Sequence, residues 1–345
     1  MKSPFKYGKV VSGKQFINRK EDLKRIQNNI TAGSNTIIIS PRRWGKSSLM
    51  KQLEFLNADK KVKFAFIDFS NIRTAEDFLE KYSREIIRSS ISKMEEIVHW
   101  NGAYKTKDEI INLPETIASK KGIKIVVCID EFQNFARLRD NISFEQELRS
   151  CWQNHDNTSY CLSGSRKHIM LEIFQKESRA FYSFGDLFMM GKIPEKHWIK
   201  FIMSSFEHTG KSISRDLVKR IIGICKNHPD YIQQLCHHVW NRTGSEATAR
   251  MVDDSMTLML RSNALYYQSI CDALSNTQLN LLFAILAGES KLTATRTMQR
   301  FKLGTPRNVS KNRQTLVEKD IVEMHGQSIT FIDPIFEYWL RLTFD

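Results

Sequence analysis

The 345 residues include 52 Lys and Arg against 38 Asp and Glu, a formal charge of +14, with 41% hydrophobic and 26% charged residues. That length exceeds one ordinary core and predicts two or three packed units, and the composition excludes a disordered or fibrous chain. No run of 18 apolar residues occurs, and the opening MKSPFKYGKVVSGK lacks the apolar core of a secretory signal. The expected location is therefore cytoplasmic, with no membrane partner.

In chain order, five short apolar runs stand out: Thr36–Ser40, Val62–Phe69, Lys124–Asp130, Thr158–Gly164 and Leu187–Met190. Longer stretches with helical spacing separate them, such as Ala75–Val98. Strands that are apolar throughout and alternate with helices predict a parallel sheet covered on both faces. After Pro194 the strands stop, and Glu195–Phe206, Arg215–Cys225, Tyr231–Asn241 and a stretch from Ala247 to Ala273 read as helices. Helices at Gln278–Ala287, Thr293–Phe301 and Pro306–Lys319 then precede two strand candidates, Ile321–Met324 and Ile329–Ile332, around a turn. Three helices and a hairpin in that order predict a winged helix-turn-helix. The expected domains are 1–194, 195–270 and 271–345.

The segment Ser40–Ser48 reads SPRRWGKSS between the first strand and a helix. Phosphate binding needs converging backbone N–H groups and a helix N-terminus facing the anion, which this order supplies. Within Ser40, Pro41, Arg42, Arg43, Trp44, Gly45, Lys46, Ser47 and Ser48, Gly45 permits close backbone approach. Lys46 reaches the β- and γ-phosphates, and the Ser47 hydroxyl ligates Mg²⁺. Ser40 occupies the first glycine of the GxxxxGK[ST] pattern, which requires backbone angles that a side chain tolerates. The segment KIVVCIDE ends on Asp130 and Glu131 at the C-terminal end of a strand, the edge where open parallel sheets bind ligands. Asp130 can hold Mg²⁺ through water, and Glu131 can orient and deprotonate the attacking water. Further on, CLSGSRK carries Ser163, Ser165 and Arg166 off another strand, with Arg166 a candidate for stabilising γ-phosphate charge or, alternatively, a solvated loop arginine. ATP or ADP with Mg²⁺ is the expected cofactor, and hydrolysis of ATP to ADP and phosphate, at a slow rate, is the expected reaction.

Between Ser290 and Val317 lie seven basic residues and no acidic one: Lys291, Arg296, Arg300, Lys302, Arg307, Lys311 and Arg313. A recognition helix with Arg307, Asn308, Lys311, Asn312 and Arg313 offers phosphate-contacting and base-reading side chains. Arg307, Lys311 and Arg313 are the candidate contacts to double-stranded DNA. Two other readings stand beside that one, a protein-docking or interdomain module and a solvated basic face. The six cysteines are scattered without a CxxC pair, and Cys128 and Cys161 lie in apolar runs, as expected of reduced buried thiols. His237 and His238 lack a spaced partner for a metal site.

Together these motifs resemble the P-loop ATPases of the AAA+ and STAND group, in particular the prokaryotic, archaeal-type ATPases. The segment FINRKEDL from Phe16 to Leu23 is similar to the family's FxGRExEL box near the adenine, with Asn18 at its glycine; the resemblance implies cofactor contacts from Phe16 and Arg19. PRRWGKSSL, IDEFQNF and SGSRKHIM resemble its phosphate loop, Walker B and sensor segments. Asn227-His228-Pro229 resembles the GxP motif of the helical lid, which implies a base contact from Pro229. DPIFEYWL, from Asp333, resembles the segment that closes the family's winged helix. The resemblance implies an α/β P-loop NTPase sheet of AAA+/STAND type, a helical lid and a winged helix. It also implies a nucleotide-driven conformational switch acting on DNA or a protein partner, with homo-oligomers possible in such a group. The alternative is a nucleotide-gated DNA-binding or signalling regulator with little turnover. A trans-acting arginine finger has only Arg179 as a candidate.

Overall fold

The computed structural model describes residues 2–58, 61–91, 106–139, 141–326 and 328–344. It divides into two compact units, one of Gly8–Ile193 and one of Pro194–Asp345 with Met1–Tyr7.

In the first unit five strands form one parallel sheet: β1 (Thr36–Ile39), β2 (Val62–Asp68), β3 (Lys124–Asp130), β4 (Thr158–Gly164) and β5 (Asp186–Met189), in the order β2-β3-β4-β1-β5. All five apolar runs are therefore strands, with bounds that shift by at most one residue at either end. The reason is burial on both faces: every residue of β1 and of β4 is buried. Around the sheet lie α1 (Lys20–Ala32), α2 (Lys46–Leu56), α3 (Ala75–Ser90), α4 (Lys107–Ile111), α5 (Leu113–Lys121), α6 (Asn141–Trp152) and α7 (Lys167–Gln175). Thr74 caps α3 in a reciprocal box with Asp77. The helix predicted to reach Val98 ends at Ser90, and residues 92–98 lie outside the described residues.

Two apolar layers sandwich the sheet. One, rich in aromatics, includes Phe69, Phe78, Phe132, Phe135, Trp152 and Phe181; the other joins Ile26 and Ile30 of α1 to Ile38, Leu49 and Leu53. Sequence order places β4 and β5 on either side of β1, so the chain changes direction across β1. The C-terminal ends of β1, β3 and β4 thus lie side by side at a switch point, where such sheets form their binding crevice.

The second unit is helical: α8 (Glu195–Glu207), α9 (Arg215–Ile224), α10 (Pro229–Arg242), the 24-residue α11 (Ala249–Asp272), α12 (Asn276–Leu286), α13 (Thr295–Arg300), α14 (Pro306–Glu318) and α15 (Pro334–Phe344), with an antiparallel hairpin of β6 (Val322–His325) and β7 (Ser328–Phe331). The three helices α12 to α14 and the hairpin occupy the predicted winged-helix positions. Helix α15 closes the unit: Asp333 accepts N–H groups of Ile335 and Phe336 at 2.9 and 3.0 Å, and the hydroxyls of Tyr231 and Tyr267 donate to its other oxygen. Burial raises the Asp333 carboxyl above its ordinary range despite these donors. Among the described residues no helix is long and apolar enough to cross a membrane.

Candidate nucleotide site

The loop leaving β1 and entering α2 brings its polar groups to one point. Gly45 caps α2 at φ 95°, a conformation open chiefly to glycine, with no side-chain cap and no acidic residue in the first turn. The helix therefore turns uncapped N–H groups and its positive end toward the loop, an arrangement suited to an anion. Ser40 lies outside the left-handed region; that conformation falls instead on Arg43 at φ 62°. Ser40 is buried, and its N–H donates to Gly164 O at 3.2 Å. A side chain at the first position is thus accommodated without strain, because the sharp backbone turn occurs three residues later. Lys46 is buried, with Nζ donating to the carbonyls of Ser40 at 3.0 Å and Pro41 at 3.3 Å. Desolvation lowers its pKa from the ordinary lysine value, opposed by the charges of Asp130 and Glu131. Arg42 and Arg43 are exposed, and Trp44 packs on the layer beneath α2. The Ser48 hydroxyl accepts the Val11 N–H at 3.1 Å, so that side chain fastens the N-terminal segment to α2.

Asp130 is the last residue of β3. Its Oδ2 accepts from the Ser47 hydroxyl at 2.5 Å, and Oδ1 accepts from the Ser163 hydroxyl at 2.7 Å and the Glu131 N–H at 2.9 Å. Among the described residues no three His, Cys, Asp or Glu gather as a metal cage. One hydroxyl and one carboxylate meeting at this point fit Mg²⁺, which takes one or two protein oxygens and completes its shell with water and phosphate.

Glu131 stands at φ 54°, ψ 37°, capping a 3₁₀ turn of Phe132–Arg137. Phe132 and Phe135 anchor that turn in the core. Oε2 of Glu131 accepts from Gln133 Nε2 and from the Ser165 hydroxyl at 3.0 Å. Arg166 is half-buried at the N-cap of α7, directly after Ser165. Gln133 is a site residue that the sequence reading missed; its only signal is its place two positions after the carboxylate pair.

The Phe16–Leu23 segment lies beside the loop. Phe16 packs on the same layer as Trp44, and Asn18 and Arg19 have φ of 50° and 67°. The buried Arg19 guanidinium donates to Trp44 O at 3.1 Å, Gly191 O at 2.9 Å and Asp22 at 3.1 Å, and burial lowers its pKa. It fastens the loop to the chain beyond β5. Asn18 and Asn227, which replace glycines of the family boxes, both adopt left-handed conformations that asparagine tolerates better than other side chains.

Pro229 and the basic candidates belong to the second unit. Pro229 is the first residue of α10. On α14 Arg307, Asn308 and Lys311 are exposed and Arg313 is half-buried. Asn312 departs from expectation: it is buried and its Nδ2 donates to Thr277 at 3.1 Å, since it shares the core-facing side of α14 with Val309 and Leu316. Arg300 pairs with Glu289 at 3.1 Å. Arg179, the finger candidate, forms an ion pair with the fully buried Glu145 within its own unit, which commits its guanidinium to the fold.

Comparison with known proteins adds two family matches. Residues 16–235 match the family described as an ATPase domain predominantly from Archaea, and residues 265–342 match a probable winged helix domain. Solved structures similar in fold include a Walker-type ATPase of Pyrococcus abyssi, at 14% identity and TM-score 0.76, with 98% of this chain and 99% of that one covered. The Aeropyrum pernix ORC2 protein in ADPNP–ADP complexes has 16% identity and TM-score 0.61, with 98% and 96% covered. The Aeropyrum pernix ORC1 protein in complex with DNA has 13% identity and TM-score 0.52, with 95% and 93% covered. No curated protein matches in sequence. With the first family model spanning more than half of it, the chain belongs to the ATPase domain family predominantly from Archaea.

Proposed function

We propose that this member of the archaeal-type ATPase family is a Mg²⁺-dependent, slowly hydrolysing switch of AAA+/STAND type that acts on double-stranded DNA through its winged helix. The observation that carries the hydrolytic part is the meeting of Ser47 and Asp130 at 2.5 Å at the mouth of α2, with Glu131 next in the chain. In this reading Lys46 and the N–H groups of the loop Ser40–Ser48 bind the β- and γ-phosphates. Ser47 and Asp130 hold Mg²⁺, which neutralises phosphate charge. Glu131 accepts the proton of the attacking water, and Arg166 stabilises charge on the transferred phosphoryl group. Phe16 flanks the base, and Arg19 acts by holding the loop in place.

DNA is favoured as partner by the cluster of basic side chains on and before α14, of which Arg307 and Lys311 stand exposed one helical turn apart. A protein partner or a homo-oligomer would use the same unit without that charge. Single-turnover hydrolysis of ATP by wild type and Glu131→Gln tests the assignment. The variant should bind ATP normally and hydrolyse it at least about 100-fold more slowly, the scale of a general base. Equal rates would remove Glu131 from the chemistry.

A further inference from the structure

We infer that Gln133 is a positioning residue for hydrolysis: with Ser165 it fixes one oxygen of the Glu131 carboxylate, so that the other faces the attacking water. This rests on the reading of Glu131 as the base.

Gln133 is 2% exposed, and its amide is satisfied at both ends. Oε1 accepts the Ser165 N–H at 3.2 Å, while Nε2 donates to Glu131 Oε2 and to the Ser165 hydroxyl at 3.3 Å. The N–H of Ser165 requires an oxygen opposite it, so the amide has one orientation and its NH₂ must face the carboxylate. The backbone is equally fixed. Phe132 and Phe135, both fully buried, flank Gln133 in the 3₁₀ turn, and Glu131 enters that turn in a left-handed conformation. Gly164 leaves room for the amide, since a Cβ there would lie 2.5 Å from Gln133 Oε1.

Both donors fall on Oε2, and among the described residues Oε1 accepts none. An unrestrained carboxylate turns about its last torsion and exchanges its two oxygens, because such sp³–sp² torsions are broad. Here any orientation short of a full exchange would strand the Gln133 amide and the Ser165 hydroxyl together. The clamp thereby fixes the plane of the carboxylate and leaves one oxygen as proton acceptor, a placement that proton transfer needs. Ser165 lies on the strand end that also carries Ser163, which holds Asp130. One strand end thus orients both carboxylates, with Gln133 completing the grip on Glu131 alone.

The test measures single-turnover hydrolysis and ATP affinity in full-length Gln133→Ala, Ser165→Ala, Ser165→Thr, Glu131→Gln and the double variant Glu131→Gln/Gln133→Ala. Gln133→Ala should slow hydrolysis about tenfold or more, the scale of one hydrogen bond to a charged group, with ATP affinity held within about twofold. Ser165→Ala should lose rate and Ser165→Thr, which keeps the hydroxyl, should recover it. A residue acting through Glu131 has nothing left to position once Glu131 is neutral, so Gln133→Ala should add no loss in the Glu131→Gln background. An equal loss in both backgrounds, or an unchanged rate in Gln133→Ala beside a slowed Glu131→Gln, overturns the inference and leaves the base assignment standing. An unchanged rate in Glu131→Gln overturns both. Should Gln133→Ala fail to fold, the two Ser165 variants decide the matter by the same loss and recovery.

Discussion

Replacing Lys46 by methionine should separate binding from folding. The ammonium is buried against the carbonyls of Ser40 and Pro41, and desolvation depresses its pKa. Methionine has a similar shape and no charge. It forfeits two charge-assisted hydrogen bonds, about 1.5–3 kcal/mol each, and gains relief from a desolvated charge of comparable size. Ligand-free stability should therefore change by no more than about 1 kcal/mol, or some 2–4 °C in the melting of a unit this long. ATP binding responds otherwise. One or two charge-assisted hydrogen bonds to phosphate, at about 1.5–3 kcal/mol each, disappear, and affinity should fall about 10² to 10³-fold. At ATP about 100 times the wild-type dissociation constant, binding adds about 2.7 kcal/mol to wild-type stability and almost nothing to the variant. Scanning calorimetry with and without ATP reads both effects. A variant that keeps the full ATP-induced shift would refute the placement of phosphate at Lys46. A ligand-free melting point lowered by more than about 10 °C would make the lysine a structural element instead.

On α14, Arg307→Ala with Lys311→Ala should weaken duplex DNA binding and flatten the slope of log K against log salt by about 1.8, two contacts at about 0.9 each. An unchanged slope would exclude both from the phosphate backbone, and the buried Asn312 should not alter base preference on its own. His155 is buried between Tyr160 at 2.9 Å and Asn112 at 3.0 Å, and desolvation lowers its pKa below the ordinary 6.5. The unfolded chain then binds the proton more readily, so this contribution is whole above about pH 6.5 and is lost as pH falls through the folded-state value, by at most about 1.4 kcal/mol per pH unit. The unfolding free energy of wild type minus that of His155→Gln should fall between pH 7.5 and pH 5, and a difference that does not vary with pH would refute this.

The sheet was legible because burial on both faces fills β1 and β3 chiefly with apolar residues, and such runs need no alternation to be read. The phosphate loop was legible because its residue types are dictated by contact with an anion. What escaped depended on geometry that spacing does not carry. Ser40 departs from the glycine pattern, and only the backbone reveals that Arg43 and Gly45 take the left-handed turns. Asn312 has the composition of a base-reading residue, yet three positions after Val309 it falls on the buried side of its helix. Arg179 looked available because its partner Glu145 is 34 residues away in sequence. The first and last helices, α1 and α15, also went unread as helices, although the motifs within them were noticed.

Asp130 and Glu131 best show how neighbours in sequence acquire different work. Asp130 ends a strand in extended geometry, so its carboxylate lies in the sheet's binding edge and meets Ser47 from α2 and Ser163 from β4. One residue later the chain turns left-handed, which brings the Glu131 carboxylate to Gln133 of the 3₁₀ turn and to Ser165 just past β4. Had β3 simply continued, alternation would have sent the second carboxylate to the opposite face of the sheet, into an apolar layer where it could not remain charged. The left-handed residue costs roughly 1 kcal/mol or more, and the burial of Phe132 and Phe135 immediately afterwards holds it in place. A change that loosens those two rings should therefore disturb Glu131 before it disturbs Asp130, and hydrolysis before nucleotide binding.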